Sequence, residues 1–242
     1  MKITLITISM LALIATSSTA DEIPSPVYSW EWSKDGAYII DPGWEGSFSY
    51  IPGNDYATFG DGVRPYSTHF TEIQRSFTVS FDVKRLTSTL NQWNNVFTLY
   101  SNNTTSGDNN RIALEFNEVG GLELYGVNRF GYTVTLNTGL TWNDLTEDQW
   151  RNLCIIFEYS SATLSVYVDG ELVDSSTGWF PSDAPTGAQF GSAFGDTRIM
   201  DGTMDINNIK FYNGAVLPVP EPATASLSLI GLAALMMRRR RF

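Results

Sequence analysis

Leu164-Ser165-Val166-Tyr167-Val168-Asp169-Gly170-Glu171-Leu172-Val173 spells out a β-hairpin. Leu164, Val166 and Val168 alternate with Ser165 and Tyr167, the period of two that turns one face of a strand toward a core. Asp169-Gly170 is a favoured two-residue turn, since both positions tolerate positive φ, and Glu171-Leu172-Val173 returns. Just upstream, Leu153, Ile155 and Phe157 alternate in the same way.

The same rhythm runs outward in both directions. Phe77, Val79, Phe81 and Val83 share one face, with Thr78, Ser80 and Asp82 on the other. Ile112, Leu114 and Phe116 precede Gly120-Gly121, and Leu122 and Leu124 come after it, which reads as a second hairpin. Tyr132, Val134 and Leu136 alternate, and residues 206 to 212 form a last strand before Asn213-Gly214. No segment keeps a helical period. Many short strands separated by glycine and asparagine turns predict an all-β, two-sheet antiparallel sandwich.

Two terminal segments fall outside that pattern. Lys2, a 13-residue apolar run from Ile3 to Ala15, and small residues up to Ala20 have the layout of a secretory signal over residues 1–20. At the other end, Pro220-Glu221-Pro222 precedes the apolar stretch Ala223 to Met237 and then Arg238, Arg239, Arg240 and Arg241. Those 15 apolar residues make about 22 Å of helix, short of a hydrocarbon core of about 30 Å. Prolines 218, 220 and 222 hold the preceding chain extended and accessible. The three parts together resemble the PEP-CTERM sorting signal of Gram-negative bacteria. That resemblance implies recognition by a membrane-embedded exosortase, a transient stay in the inner membrane, and release to the cell surface or extracellular matrix. An uncleaved anchor is the alternative. The expected layout is a signal at 1–20, a domain at 21–217 and a sorting tail at 218–242.

Setting aside Lys2 and the four terminal arginines leaves ten of the 15 basic residues against 26 acidic ones, a net charge of −16. Such a surface repels nucleic acid and anionic lipid and favours cations, although acidity also serves solubility alone. The one cysteine, Cys154, excludes an internal disulfide and reads as a buried strand thiol. The one histidine, His69, has nothing in the sequence linking it to Cys154.

The stretch Gln149-Trp150-Arg151-Asn152-Leu153, with the Tyr167-Val168-Asp169-Gly170 hairpin downstream, resembles the laminin-G-like, concanavalin A-like superfamily. Tyr56-Ala57-Thr58-Phe59-Gly60 and Gly202-Thr203-Met204-Asp205-Ile206 fit the same pattern, over roughly residues 45 to 216. The resemblance implies a jelly-roll sandwich and admits both lectins and glycosidases. The glucanase relatives carry Glu-x-Asp-x-x-Glu on one strand, a run missing here. Glu115, Glu118 and Glu123 lie near one another, but Glu115 is out of phase with Ile112, Leu114 and Phe116 and is expected to be solvated. No nucleophile elbow, metalloprotease or phosphate-loop motif is present. The expectation is a non-catalytic module.

Seven tryptophans are candidates for stacking on sugar rings, and Trp142 and Trp179, in apparent loops, are the preferred pair. Relatives often hold calcium at the sandwich rim, and Asp61, Asp196 and Asp201 are glycine-flanked aspartates of the kind that supply oxygen ligands. Ordinary Asp-Gly turn chemistry explains them equally. Asn102-Asn103-Thr104-Thr105 reads as a polar loop. The functional expectation is an exported glycan-binding or envelope-binding module. A structural matrix protein without a discrete ligand site and a divergent glycoside hydrolase are the alternatives.

Overall fold

Alternation along Phe77–Arg85 (β6) sends Phe77, Val79, Phe81 and Val83 inward, all fully buried, and builds the sandwich around them. A computed structural model describes residues 24–40, 48–67, 70–85, 94–101, 111–191, 200 and 202–217. The expected signal and sorting tail lie outside that set, as do His69, Asp196 and Asp201. Among the described residues no helix is long and apolar enough to cross a membrane.

Two antiparallel sheets face each other. The strands before β6 are Tyr28–Ser33 (β1), Gly36–Ile40 (β2), Ser49–Tyr50 (β3), Ala57–Gly60 (β4) and Tyr66–Ser67 (β5). After it come Asn95–Tyr100 (β7), Arg111–Phe116 (β8), Gly121–Val127 (β9), Thr133–Thr141 (β10) and Arg151–Glu158 (β11). Thr163–Val168 (β12), Glu171–Thr177 (β13), Gly187–Phe190 (β14) and Thr203–Asn213 (β15) complete the set. The nine-stranded sheet runs β13-β12-β11-β6-β15-β1-β2, with β4 also on β15 and β3 on β4. The six-stranded sheet runs β10-β9-β8-β7-β14-β5. Both expected hairpins form: Asp169 and Gly170 take φ of 52° and 82°, and residues 117–120 turn β8 into β9.

Opposed aromatic rings fill the space between the sheets. Phe190 from the six-stranded sheet meets Phe81 at 5.4 Å, Phe59 at 5.4 Å and Phe97 at 4.8 Å. Truncating a ring there would cost about 3–5 kcal/mol. β15 holds two partners end to end along one side, β4 at Thr203 to Ile206 and β1 at Ile209 to Phe211. A bulge at Asn207 and Asn208 (φ 52° at Asn208) separates them, and Asn207 closes the seam. Its Oδ1 accepts from Trp32 N at 2.9 Å, and its Nδ2 donates to Trp32 O and Asp55 O. The buried seam therefore leaves these backbone groups satisfied.

Candidate functional site

Asn128, just beyond β9, organises the connection to β10. Its Oδ1 accepts from Phe130 N at 3.0 Å and Tyr132 N at 3.1 Å, while its carbonyl accepts from Gly131 N. Gly131 takes a φ of +81°, where a side chain would be strained. The loop is thereby fixed with two rings turned out of the fold: Phe130 is 69% exposed and Tyr132 70%. Arg129 N donates to Ser182 Oγ at 3.1 Å and joins this loop to the one after β13.

That second loop supplies Trp179 and Phe180. Trp179 is buried; its Nε1 donates to Tyr132 O at 3.1 Å and its ring meets Phe157 edge-on at 6.1 Å. Phe180 stays partly exposed and sits 5.7 Å from Tyr159, just past the end of β11. Between the loops lies an open groove of about 670 Å³, with Phe130, Tyr132, Tyr159, Trp179 and Phe180 in its lining. Serines 176 and 182 and threonines 133 and 177 add hydroxyls. Its size falls in the range of small-ligand sites, which combine apolar walls with a few polar groups. Among the described residues no Asp, Glu, His or Cys lines it.

The preferred tryptophans part company. Trp179 forms the buried inner wall of the groove. Trp142 lies at the opposite end, in a 3-10 turn (Trp142–Asp144), 4% exposed, edge-on to Phe116 at 5.0 Å. Its expected exposure fails, because the turn folds the indole into the end of the core. Thr141 and Asp144 cap that turn, and hydrogen bonds from Thr141 hold the Asp144 carboxyl below its ordinary range. The exposed rings of the groove are instead Phe130, Tyr132, Tyr159 and Phe180. A loop signal did exist for the first two: Asn128 ahead of them and Gly131 between them.

The remaining candidates scatter. Asp61 is exposed at φ 43° in the turn after β4, at the end away from the groove. Among the described residues no group of three His, Cys, Asp or Glu side chains is placed to hold a metal. Cys154 is a buried free thiol, and burial pushes its pKa up to about 12. Glu115 corrects an expectation. It does point away from the inter-sheet core, yet only 4% of it is exposed, and it pairs across strands with Glu123. Glu123 Oε1 accepts from Asn117 Nδ2 at 2.5 Å. These two carboxylates stand on adjacent strands but on the outer face of the six-stranded sheet, toward the turn opposite the groove.

Comparison with known proteins agrees with this architecture. A family model for the concanavalin A-like lectin/glucanases superfamily, of laminin G type, matches residues 52–218. No curated protein matches the sequence. Among solved structures, the fold is similar to the binding domain of Paraclostridial Mosquitocidal Protein 1, with TM-score 0.59 and 16% identity over 79% of this chain and 49% of that one. It is similar to the receptor binding domain of botulinum neurotoxin D at TM-score 0.58 and 14% identity, over 79% and 50%. The ligand binding domain of botulinum neurotoxin serotype D in complex with N-acetylneuraminic acid gives TM-score 0.56 and 12% identity, over 79% and 48%. This chain spans about half the length of those domains.

Proposed function

Because this chain belongs to the concanavalin A-like lectin/glucanases superfamily, we propose that it is a non-catalytic module that binds glycans in the groove between residues 128–132 and 178–182. The observation that carries the proposal is the ring set at the groove. Phe130 and Tyr132 are more than two-thirds exposed in a loop held by three hydrogen bonds that Asn128 accepts and one that its N–H donates to Tyr132 O. Exposed apolar rings lose favourable burial unless something covers them, and the C–H faces of a sugar ring do so while its hydroxyls reach the rim. Preorganisation lowers the ordering cost of binding. The similar domains are themselves described as binding or receptor-binding domains.

The proposal includes an address. The residues at the two ends support export through the segment 1–20 and processing by an exosortase at Pro220-Glu221-Pro222, which would place the module at the cell surface or in the extracellular matrix. An array of neutral and acidic glycans, probed with the wild type and with a Phe130→Ala/Tyr132→Ala variant, tests the ligand class. Selective binding lost in the variant supports the groove. Absence of binding from a folded wild type sinks it and favours a structural matrix protein.

A further inference from the structure

We infer that the groove selects a sugar acid, a ring bearing a carboxylate, and that Arg129 recognises that carboxylate. The inference rests on the glycan-binding reading above and narrows it. Among the described residues Arg129 is the one charged residue in the lining of the groove, in a chain whose net charge is −11. Its guanidinium lies 4.8 Å from the centre of the Phe130 ring, with no carboxylate partner among the described residues. Just behind, Arg75 stands 4.9 Å over Tyr159 and donates from Nη1 to its hydroxyl at 2.7 Å.

Both guanidiniums at the groove are therefore held by aromatic groups. Elsewhere Lys84 meets Asp205, Arg151 meets Asp169 and Lys210 meets Glu31, while Arg85 and Arg111 also lie over rings, those of Trp142 and Tyr125. Arg129 differs from these in standing in the lining of the groove. A guanidinium parked on a ring keeps its fork of N–H donors open toward solvent. That fork matches a carboxylate in a bidentate fashion. A pyranose stacked on the rings of the groove carries any ring carboxylate at its edge, and Arg129 stands in the same lining to meet it. A neutral sugar offers the guanidinium only hydroxyl oxygens, weaker acceptors than a carboxylate. The net negative charge of the chain disfavours an anionic ligand unless a cation meets it locally, and screening confines that repulsion to about 8 Å at physiological ionic strength.

The test is a calorimetric titration of the whole chain with oligogalacturonate and with the same oligomer as its methyl ester. Esterification removes the charge and keeps the rings. The acid should bind at least about tenfold more tightly than the ester, the margin of one charge-assisted contact. Arg129→Gln should bring the acid down to the ester's affinity and leave the ester unchanged, and Arg129→Lys should fall between. Equal binding of acid and ester, or an unchanged ratio in Arg129→Gln, overturns the role of Arg129 and leaves the glycan reading standing. Preference for a sulfated oligosaccharide over the galacturonate overturns the sugar-acid assignment. If neither oligomer binds and neutral glycans on the array fail too, the glycan reading falls with it.

Discussion

Trp179 lies so close over Gly126 that a β-carbon at 126 would stand 2.9 Å from its Cζ2. The same β-carbon would meet Val134 Cγ1 at 2.8 Å. The inner wall of the groove therefore depends on a missing side chain in β9. Gly126→Ala must shift the indole or Val134, at an overpacking cost of about 1–3 kcal/mol. Urea unfolding should report that loss, and glycan titration should weaken with it, because the Trp179–Tyr132 hydrogen bond moves too.

Phe130 and Trp142 should dissociate binding from stability. Trp142→Ala empties a buried site and is expected to cost about 3–5 kcal/mol while glycan affinity in the folded protein is retained. Phe130→Ala touches an exposed ring, so its stability should stay within about 0.5 kcal/mol while affinity falls several-fold. Thermal melts beside titrations decide between the two ends of the sandwich, and the reverse pattern would move the site to the Trp142 end.

Lys84 and Asp205 make a pH-sensitive pair. Asp205 is fully buried, accepts from Thr58 Oγ1 at 2.8 Å and faces Lys84 Nζ at 3.4 Å. Lys84 in turn lies 4.8 Å over Tyr56 and 5.0 Å over Trp150. Burial pushes the Asp205 carboxyl above its ordinary value of 3.8, outweighing Thr58 and Lys84. A raised folded pKa means that its stabilising contribution is complete below about 3.8 and is lost as the pH climbs through the folded value. Asp205→Asn should therefore be least harmful at neutral pH and relatively worse in acid. Lys84→Met should cost about 3–5 kcal/mol at pH 7, because it strands a buried carboxylate, and much less near pH 3. Chemical denaturation from pH 3 to 7 checks both slopes.

Cys154 should be chemically silent in the native state. With its pKa near 12, the thiol supplies almost no thiolate at pH 8. Reaction with a chromogenic disulfide should proceed at the rate of unfolding, and a fast native reaction would contradict the buried placement.

Glu115 and Glu123 are the place to look for hydrolysis. They are directly opposed on adjacent strands, where β-carbons stand about 4.5–5.5 Å apart, and a glycosidase needs two neighbouring carboxyl groups. The groove residues have no such pair, so glycans bound there should release no reducing ends over long incubation. Release that Glu115→Gln abolishes would transfer the chemistry to the outer sheet face.

The strands could be read from sequence because burial on one side imprints a period of two, and each of β6, β8, β11 and β12 carries it. Glu115 shows the limit of that signal. Parity assigns a residue to a face but does not say whether the face is covered, and Thr98 and Asn95 beside it are fully buried as well. The groove was harder still. Phe130 lies in a connection with no period, and Tyr132, which alternates with Val134 and Leu136, falls just ahead of β10 and is exposed. The hydrogen bonds to Asn128 that set both rings show only in the folded loop. Trp142 misled for the converse reason: a position between strands looks open until a single 3-10 turn tucks it in.

Ser76 ties the end of the domain to the groove. Its carbonyl accepts from Gly214 N at 2.8 Å and its Oγ accepts from Tyr159 N at 3.0 Å. Thr78 Oγ1 then grips the departing chain, donating to Gly214 O and accepting from Val216 N. The polypeptide leaves the sandwich beside the very loops that present the rings. The groove and the exit of the chain therefore share one end of the sandwich. Were the proposed sorting tail to hold the protein at the envelope, a ligand there would meet the groove at an effective concentration set by the connecting segment rather than by diffusion from solution.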